Sequence, residues 1–149
     1  MARFRMSTLV DAPPTAVWRE LADIASHVEW MADAESIEFE GEQRRGVGTV
    51  FDCATRIGPL RTVDRMEVTR WDDGREMGVR HVGLVRGEGV FTLRPAGDDG
   101  GSTRLDWTER LRFPWYLGGP VLGLLAKPVL RSIWRGNLRR LAARVAPRN

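Results

Sequence analysis

Residues 60–113 read LRTVDRMEVTRWDDGREMGVRHVGLVRGEGVFTLRPAGDDGGSTRLDWTERLRF, and the fold is decided in this stretch. Apolar and polar residues alternate at period two, the spacing that sends successive side chains to opposite faces of a strand. Turn chemistry interrupts the alternation at Asp72-Asp73-Gly74, Arg86-Gly87 and Asp98-Asp99-Gly100-Gly101. The pattern reaches back through Gly58-Pro59, Gly46/Gly48 and Gly41 to about Ser36, which predicts six strands near 36–41, 47–57, 60–71, 75–85, 88–95 and 102–113. Connections this short join only antiparallel neighbours, so these strands form a meander of hairpins and not a βαβ array.

Working outward, Arg3 to Val10 alternates in the same way, with Phe4, Met6, Thr8 and Val10 on one side, and adds a seventh strand. It stops at Pro13-Pro14. Proline is tolerated in a first helical turn, where its missing N–H costs nothing, so a helix begins there with Val17, Trp18, Leu21 and Ile24 on its apolar face. Ser26-His27-Val28-Glu29 has capping-box spacing and predicts a second short helix ahead of Trp30 and Met31. From Trp115 the chain turns helical again. Leu130, Ile133, Trp134, Leu138, Leu141, Ala142 and Val145 recur at three- and four-residue intervals, with Arg131, Arg135, Arg139 and Arg144 opposite. Pro128 predicts a kink or a start close by. The class is α+β, in the order β-α-α-β6-α, and the terminal helix is the one element long enough to cover the apolar face of a seven-stranded sheet.

The 149 residues, 42% hydrophobic and 29% charged, make one globular domain. A single cysteine, Cys53, forms no internal disulfide, and with only His27 and His81 beside it no Cys/His zinc cage can be assembled; no metal site is expected. Charges in the opening MARFRMSTLVDAPP leave no apolar core for a secretory signal, and the uncharged stretch 113–126 is broken by glycine and proline and too short to span a bilayer, so a cytoplasmic location is expected. Of 23 basic residues, 22 are arginine. From Arg110 onward the chain carries +9 against −6 before it, so the terminal helix presents a solvated basic face or meets an anionic surface.

Several strings fall into a known order. Residues 10–31, VDAPPTAVWRELADIASHVEWM, with Gly46-Val47-Gly48-Thr49, Phe91-Thr92-Leu93-Arg94-Pro95, Gly101-Ser102-Thr103-Arg104-Leu105-Asp106-Trp107 and the arginine-rich last helix, resemble the START-related, Bet v-type superfamily (SRPBCC), which includes polyketide cyclase/dehydrase-like proteins. The resemblance spans nearly the whole chain. It implies a helix-grip fold: a curved sheet wrapped on the C-terminal helix, with a hydrophobic cavity between them for lipids, polyketides or other apolar molecules. No single reaction follows from it.

Strand parity then selects candidates. If Phe4/Met6, Phe51/Cys53/Ile57, Met66/Val68, Met77/Val79, Phe91/Leu93 and Leu105/Trp107/Leu111 face inward, Asp64, His81 and Glu109 face inward with them. These three are the candidate acid/base residues, since carboxylates desolvated beside an imidazole can hold and transfer protons. A single bulge would return Asp64 or His81 to solvent, and Glu109 could instead pair with an arginine. Trp30, Phe51, Cys53, Met66, Val79, Phe91, Trp107, Trp115 and Leu122 are the expected ligand-binding residues. Trp18, Trp71 and Trp134 are read as core, and Cys53 as a small buried hydrophobe rather than a nucleophile. The segment 113–130, FPWYLGGPVLGLLAKPVL, is either a lid at the cavity mouth or a packed loop leading into the helix.

Other chemistries find no support. Gly46-Val47-Gly48 and Gly87-Glu88-Gly89 sit among strands with no following helix, which excludes a dinucleotide loop. No GxSxG, HExxH or Gly-Lys-Ser/Thr motif occurs. Nucleic-acid binding is not expected, because Trp134 lies on the apolar stripe and not among the arginines. Three readings remain: a cofactor-free binder or carrier of a hydrophobic molecule, a polyketide aromatase/cyclase or dehydratase, and a chaperone-like interaction module. The expected partner is an apolar ligand, with transient contact to an anionic membrane, in a monomer or homodimer.

Overall fold

The computed structural model describes residues 2–115 and 118–147, without the side chains of 120, 122 and 123. Seven strands form one antiparallel sheet: β1 (Ala2–Val10), β2 (Ala34–Phe39), β3 (Val50–Ile57), β4 (Leu60–Asp72), β5 (Glu76–Val82), β6 (Arg86–Ala96) and β7 (Ser102–Arg112). Their order is β1-β7-β6-β5-β4-β3-β2, so the first strand pairs with the last, Phe4 opposite Glu109 and Met6 opposite Trp107. Between β1 and β2 lie helix α1 (Pro14–Ala22) and a 3-10 segment (Ile24–Glu29); helix α2 (Gly119–Val145) follows β7. This is the expected helix-grip arrangement.

The alternation in sequence becomes burial in space. Phe4, Met6 and Val10 on β1, Leu105, Trp107 and Leu111 on β7 and Phe91 and Leu93 on β6 are all buried. They face α2 through Leu130, Trp134, Leu138 and Leu141, also buried. An aromatic chain crosses this interface: Trp30 to Phe91, Phe91 to Trp107 (centroids 4.9 Å apart), Trp107 to Trp134 (5.4 Å) and Trp134 edge-on to Phe4 (4.9 Å, 76°). Each such pair contributes about 0.5–1.5 kcal/mol beyond its buried area.

Local expectations fail in three places. Ser26 is not a cap: its Oγ donates to the carbonyls of Asp23 (2.7 Å) and Glu20 (3.3 Å), inside a 3-10 segment that already starts at Ile24. The β5–β6 turn occupies residues 83–85, not Arg86-Gly87, and Gly87 lies within β6. There Gly87 has φ +147°, and an added Cβ would fall 1.7 Å from the Arg110 carbonyl oxygen, so only glycine fits this approach to β7. The apolar Gly/Pro stretch is neither loop nor lid from Gly119 onward, because α2 begins at that residue and runs through Pro128. Its register leaves Val121, Leu124, Leu125 and Val129 exposed. No helix among the described residues is long and apolar enough to cross a membrane.

Candidate functional site

A cavity of about 190 Å³ lies between the concave face of the sheet and α2. Phe51, Cys53, Met66, Val79, Phe91 and Trp107 line it, as do Asp64, His81 and Glu109. Trp30 does not: it is 0% exposed and packs against His27 and Phe91 behind the wall. Trp115 is 86% exposed and borders a separate outer groove, while the side chain of Leu122 lies outside the described residues. Trp134, expected as core, has both roles, since it is buried and also forms part of the cavity wall.

The three ionisable residues come from three different strands. His81 on β5 stands opposite Met66 on β4, one inward position from Asp64. Its Nδ1–H donates to Asp64 Oδ2 at 2.7 Å, and its Nε2–H donates to Glu109 Oε2 at 3.1 Å. The second contact has to pass over β6, which separates β5 from β7. It can do so because β6 is bare at the crossing: Gly87 pairs with His81, and Gly89 pairs with Glu109. A Cβ at Gly89 would lie 2.3 Å from Glu109 Oε1 and 2.7 Å from its carboxyl carbon. The Gly87-Glu88-Gly89 string is therefore the sequence signal of this array, although its meaning depends on strand pairing. Trp107 completes the arrangement, its Nε1–H donating to Glu109 Oε1 at 3.0 Å.

Electrostatics follow from the geometry. Burial disfavours a charged imidazole at His81, but the Glu109 carboxylate and the hydrogen bonds to Asp64 and Glu109 outweigh it and push the pKa up to about 10. His81 is thus an imidazolium held between two carboxylates, both ring nitrogens committed as donors. Asp64 Oδ1 is buried with no hydrogen-bond partner. The array can store a proton and pass it between two carboxyl groups at the edge of an apolar space.

Two other titratable wall residues, His27 and Cys53, are quiet. Burial pushes His27 down to about 4, so it is neutral, and its Nε2–H donates to the Leu21 carbonyl at 2.8 Å. Burial also pushes the Cys53 thiol up to about 11, which removes the thiolate needed for nucleophilic attack. Among the described residues no group of three or more His, Cys, Asp or Glu side chains could hold a metal ion.

Opposite the array, a polar cluster absent from the sequence reading fixes α2. Asp33 accepts from Trp134 Nε1 (3.2 Å) and Asn137 Nδ2 (2.8 Å). Asn137, 0% exposed, accepts the Ala32 amide (2.9 Å) and Arg140 Nη2, and Arg140 Nε donates to the Trp30 carbonyl (3.0 Å). The sequence clue was an asparagine set into the apolar stripe between Trp134 and Leu138. Beyond the cavity, an outer groove of about 860 Å³ is bordered by Arg3, Arg86, Arg112, Lys127 and Trp115, and it shares Leu84, Leu111 and Phe113 with the inner cavity.

This architecture recurs in solved structures. The Zhui aromatase/cyclase from Streptomyces superposes with a TM-score of 0.77 at 18% identity, covering 96% of this chain and 92% of that one. A START superfamily protein from Mycobacterium smegmatis gives 0.77 at 15%, covering 97% of both chains, and a protein from Thermus thermophilus gives 0.71 at 22%, covering 96% of both. At these identities the likeness establishes the fold. No curated protein matches the sequence. The family model described as polyketide cyclase / dehydrase and lipid transport matches residues 1–146. With a match over almost its whole length and a helix-grip architecture to accompany it, the chain belongs to the polyketide cyclase/dehydrase and lipid transport family.

Proposed function

We propose that the protein binds a hydrophobic small molecule in the cavity between the sheet and α2, against the wall that carries the Asp64–His81–Glu109 array. The observation that supports this is an internal space whose wall is apolar except for a few polar groups, most of them already paired with one another. Such a lining rewards shape and places the cost of mismatch on a small number of polar contacts. Membership of a family that includes lipid transport agrees with it. Native mass spectrometry of detergent-free protein, followed by organic extraction of whatever denaturation releases, tests the reading. A stoichiometric apolar adduct is expected; protein that stays bare and takes up no alkyl ligand refutes it.

A second reading, proton-transfer catalysis of the cyclase or dehydratase type, is favoured by one observation: an imidazole stands within hydrogen-bond distance of two carboxyl groups in an apolar cavity, where burying charge is costly. In this reading a carboxylate of the array takes a proton from a carbon beside a ligand carbonyl, and His81 relays protons between Glu109 and Asp64. Glu109→Gln keeps the shape and removes the charge. Loss of turnover with retained binding supports a catalytic part for the array, whereas unchanged turnover excludes one for Glu109.

A further inference from the structure

The outer groove differs from the cavity in the chemistry of its lining. Arg86 and Arg112 stand directly opposite each other in the β6–β7 register. Like charges directly opposed across strands are destabilising, so the neighbours of each such pair are informative. The sheet has other opposed arginines, and most have an acid to relieve them. Arg56 and Arg61 share Glu35, and Arg94, opposite Arg104, pairs with Asp106. Arg110, opposite Arg3, has Glu88 in register on its other side. Arg86 and Arg112 have none: no described carboxylate lies within ion-pairing distance of either, nor of Arg3 or Lys127, and among the described residues no acid borders the groove. Four cations therefore surround a concavity with no internal counter-charge.

Size and continuity connect this groove to the cavity. The inner space, about 190 Å³, is smaller than the roughly 300–1,000 Å³ of ordinary ligand pockets, while the outer groove adds about 860 Å³. Leu84, Leu111 and Phe113 border both, so a chain leaving the cavity passes these three apolar residues and emerges among the cations. The cavity's own charged wall, at Asp64 and Glu109, faces the opposite way in sign and would repel an anion.

We propose that the outer groove binds the anionic group, phosphate or carboxylate, of an amphipathic ligand whose apolar tail occupies the inner cavity. The inference rests on the cavity reading above and adds the ligand's charge and its orientation, anion outward. Arg86 and Arg112 are the principal contacts, with Arg3 and Lys127 at the rim.

The test measures binding of decyl phosphate, decanol and decyltrimethylammonium below their micellar concentrations, by calorimetry or tryptophan fluorescence. Decyl phosphate should bind at least ten-fold more tightly than decanol, with an advantage that shrinks as salt is raised. In Arg86→Gln/Arg112→Gln the ratio of the two affinities should fall close to one, and in Arg86→Lys/Arg112→Lys most of it should remain. Circular dichroism confirms that both variants fold. Equal affinities for the phosphate and the alcohol, or an advantage that survives the glutamine variant, overturns the proposal while leaving the cavity reading intact. Failure of all three probes to bind overturns both. A further arm uses phosphatidylglycerol and phosphatidylcholine vesicles: binding to anionic vesicles without binding of monomeric decyl phosphate would make the groove a membrane-facing surface and refute a ligand site there.

Discussion

The array exists because β6 carries no side chain where His81 and Glu109 meet, and Gly89→Ala tests this with a single methyl group. The new Cβ would stand 2.3 Å from Glu109 Oε1, far inside contact distance, and the backbone of a central strand cannot retreat. Glu109 must swing away, giving up the Trp107 N–H, the His81 N–H or both. A hydrogen bond to a charged group is worth about 1.5–3 kcal/mol, and stranding a buried charge costs about 3–5 kcal/mol. With part of the charge recovered by rotation, a loss of about 2–4 kcal/mol follows, or roughly 5–15 °C in Tm at the ~2–4 °C per kcal/mol of a chain this size. Urea and thermal denaturation measure the loss, and an NMR titration of the His81 ring should show its pKa falling from about 10 as its strongest charge partner withdraws. The decisive comparison is a double-mutant cycle with Glu109→Ala, which removes the group being struck; in that background Gly89→Ala should cost well under half as much. Additive costs, or an unaltered His81 titration in Gly89→Ala, would refute the reasoning.

Two further predictions concern the buried histidines and the cluster that anchors α2. Stability should peak near pH 6.5: His81, held charged to about 10 against an ordinary 6.5, contributes stability that is full below pH 6.5 and is lost as pH rises towards 10. His27, held neutral down to about 4, takes its proton first in the unfolded chain, so stability also falls as pH drops from 6.5 to 4; urea midpoints at pH 4.5, 6.5 and 9.5 check both limbs, and His81→Gln should flatten the alkaline one. Asn137→Ala should cost about 2–4 kcal/mol by freeing the Ala32 amide and one Asp33 oxygen, and amide exchange at Ala32 should rise with it; protection equal to wild type would show that the cluster does not hold α2.

Architecture was legible because its signals are local. Alternation, turn residues and an amphipathic terminal stripe each act within a few residues, and the sheet order follows from short hairpins. The inward parity of Asp64, His81 and Glu109 was readable for the same reason: the bulge in β4 falls between Val68 and Arg70, past Asp64, and leaves the alternation intact where it counts. What could not be read depends on neighbours distant in sequence. Gly87 and Gly89 look like turn residues until β7 is placed beside them, and Asn137 looks like a flaw in an apolar face until Asp33 arrives from the 3-10 side. The reading of residues 113–130 as a lid or loop failed from Gly119 onward because it leaned on the low helix propensity of glycine and proline, which is a weak preference. Trp30 and Trp115 show that a flat aromatic side chain says little about where it sits. One is sealed inside and the other stands in the open.

The bare stretch of β6 also divides the walls of the cavity into those that can drift and those that cannot. Residues 51, 53, 66 and 79 line the cavity but make no hydrogen bond to the array, so exchanging one for a larger or smaller apolar residue reshapes the chamber and leaves the array's own contacts in place. Positions 87 and 89 have no such freedom, since any side chain there would displace a strand or an acid. A lineage, or a laboratory library, seeking a new ligand has most of its room on the β3–β4 side. The β6 glycines are the price of keeping the acid and the imidazole within reach of each other.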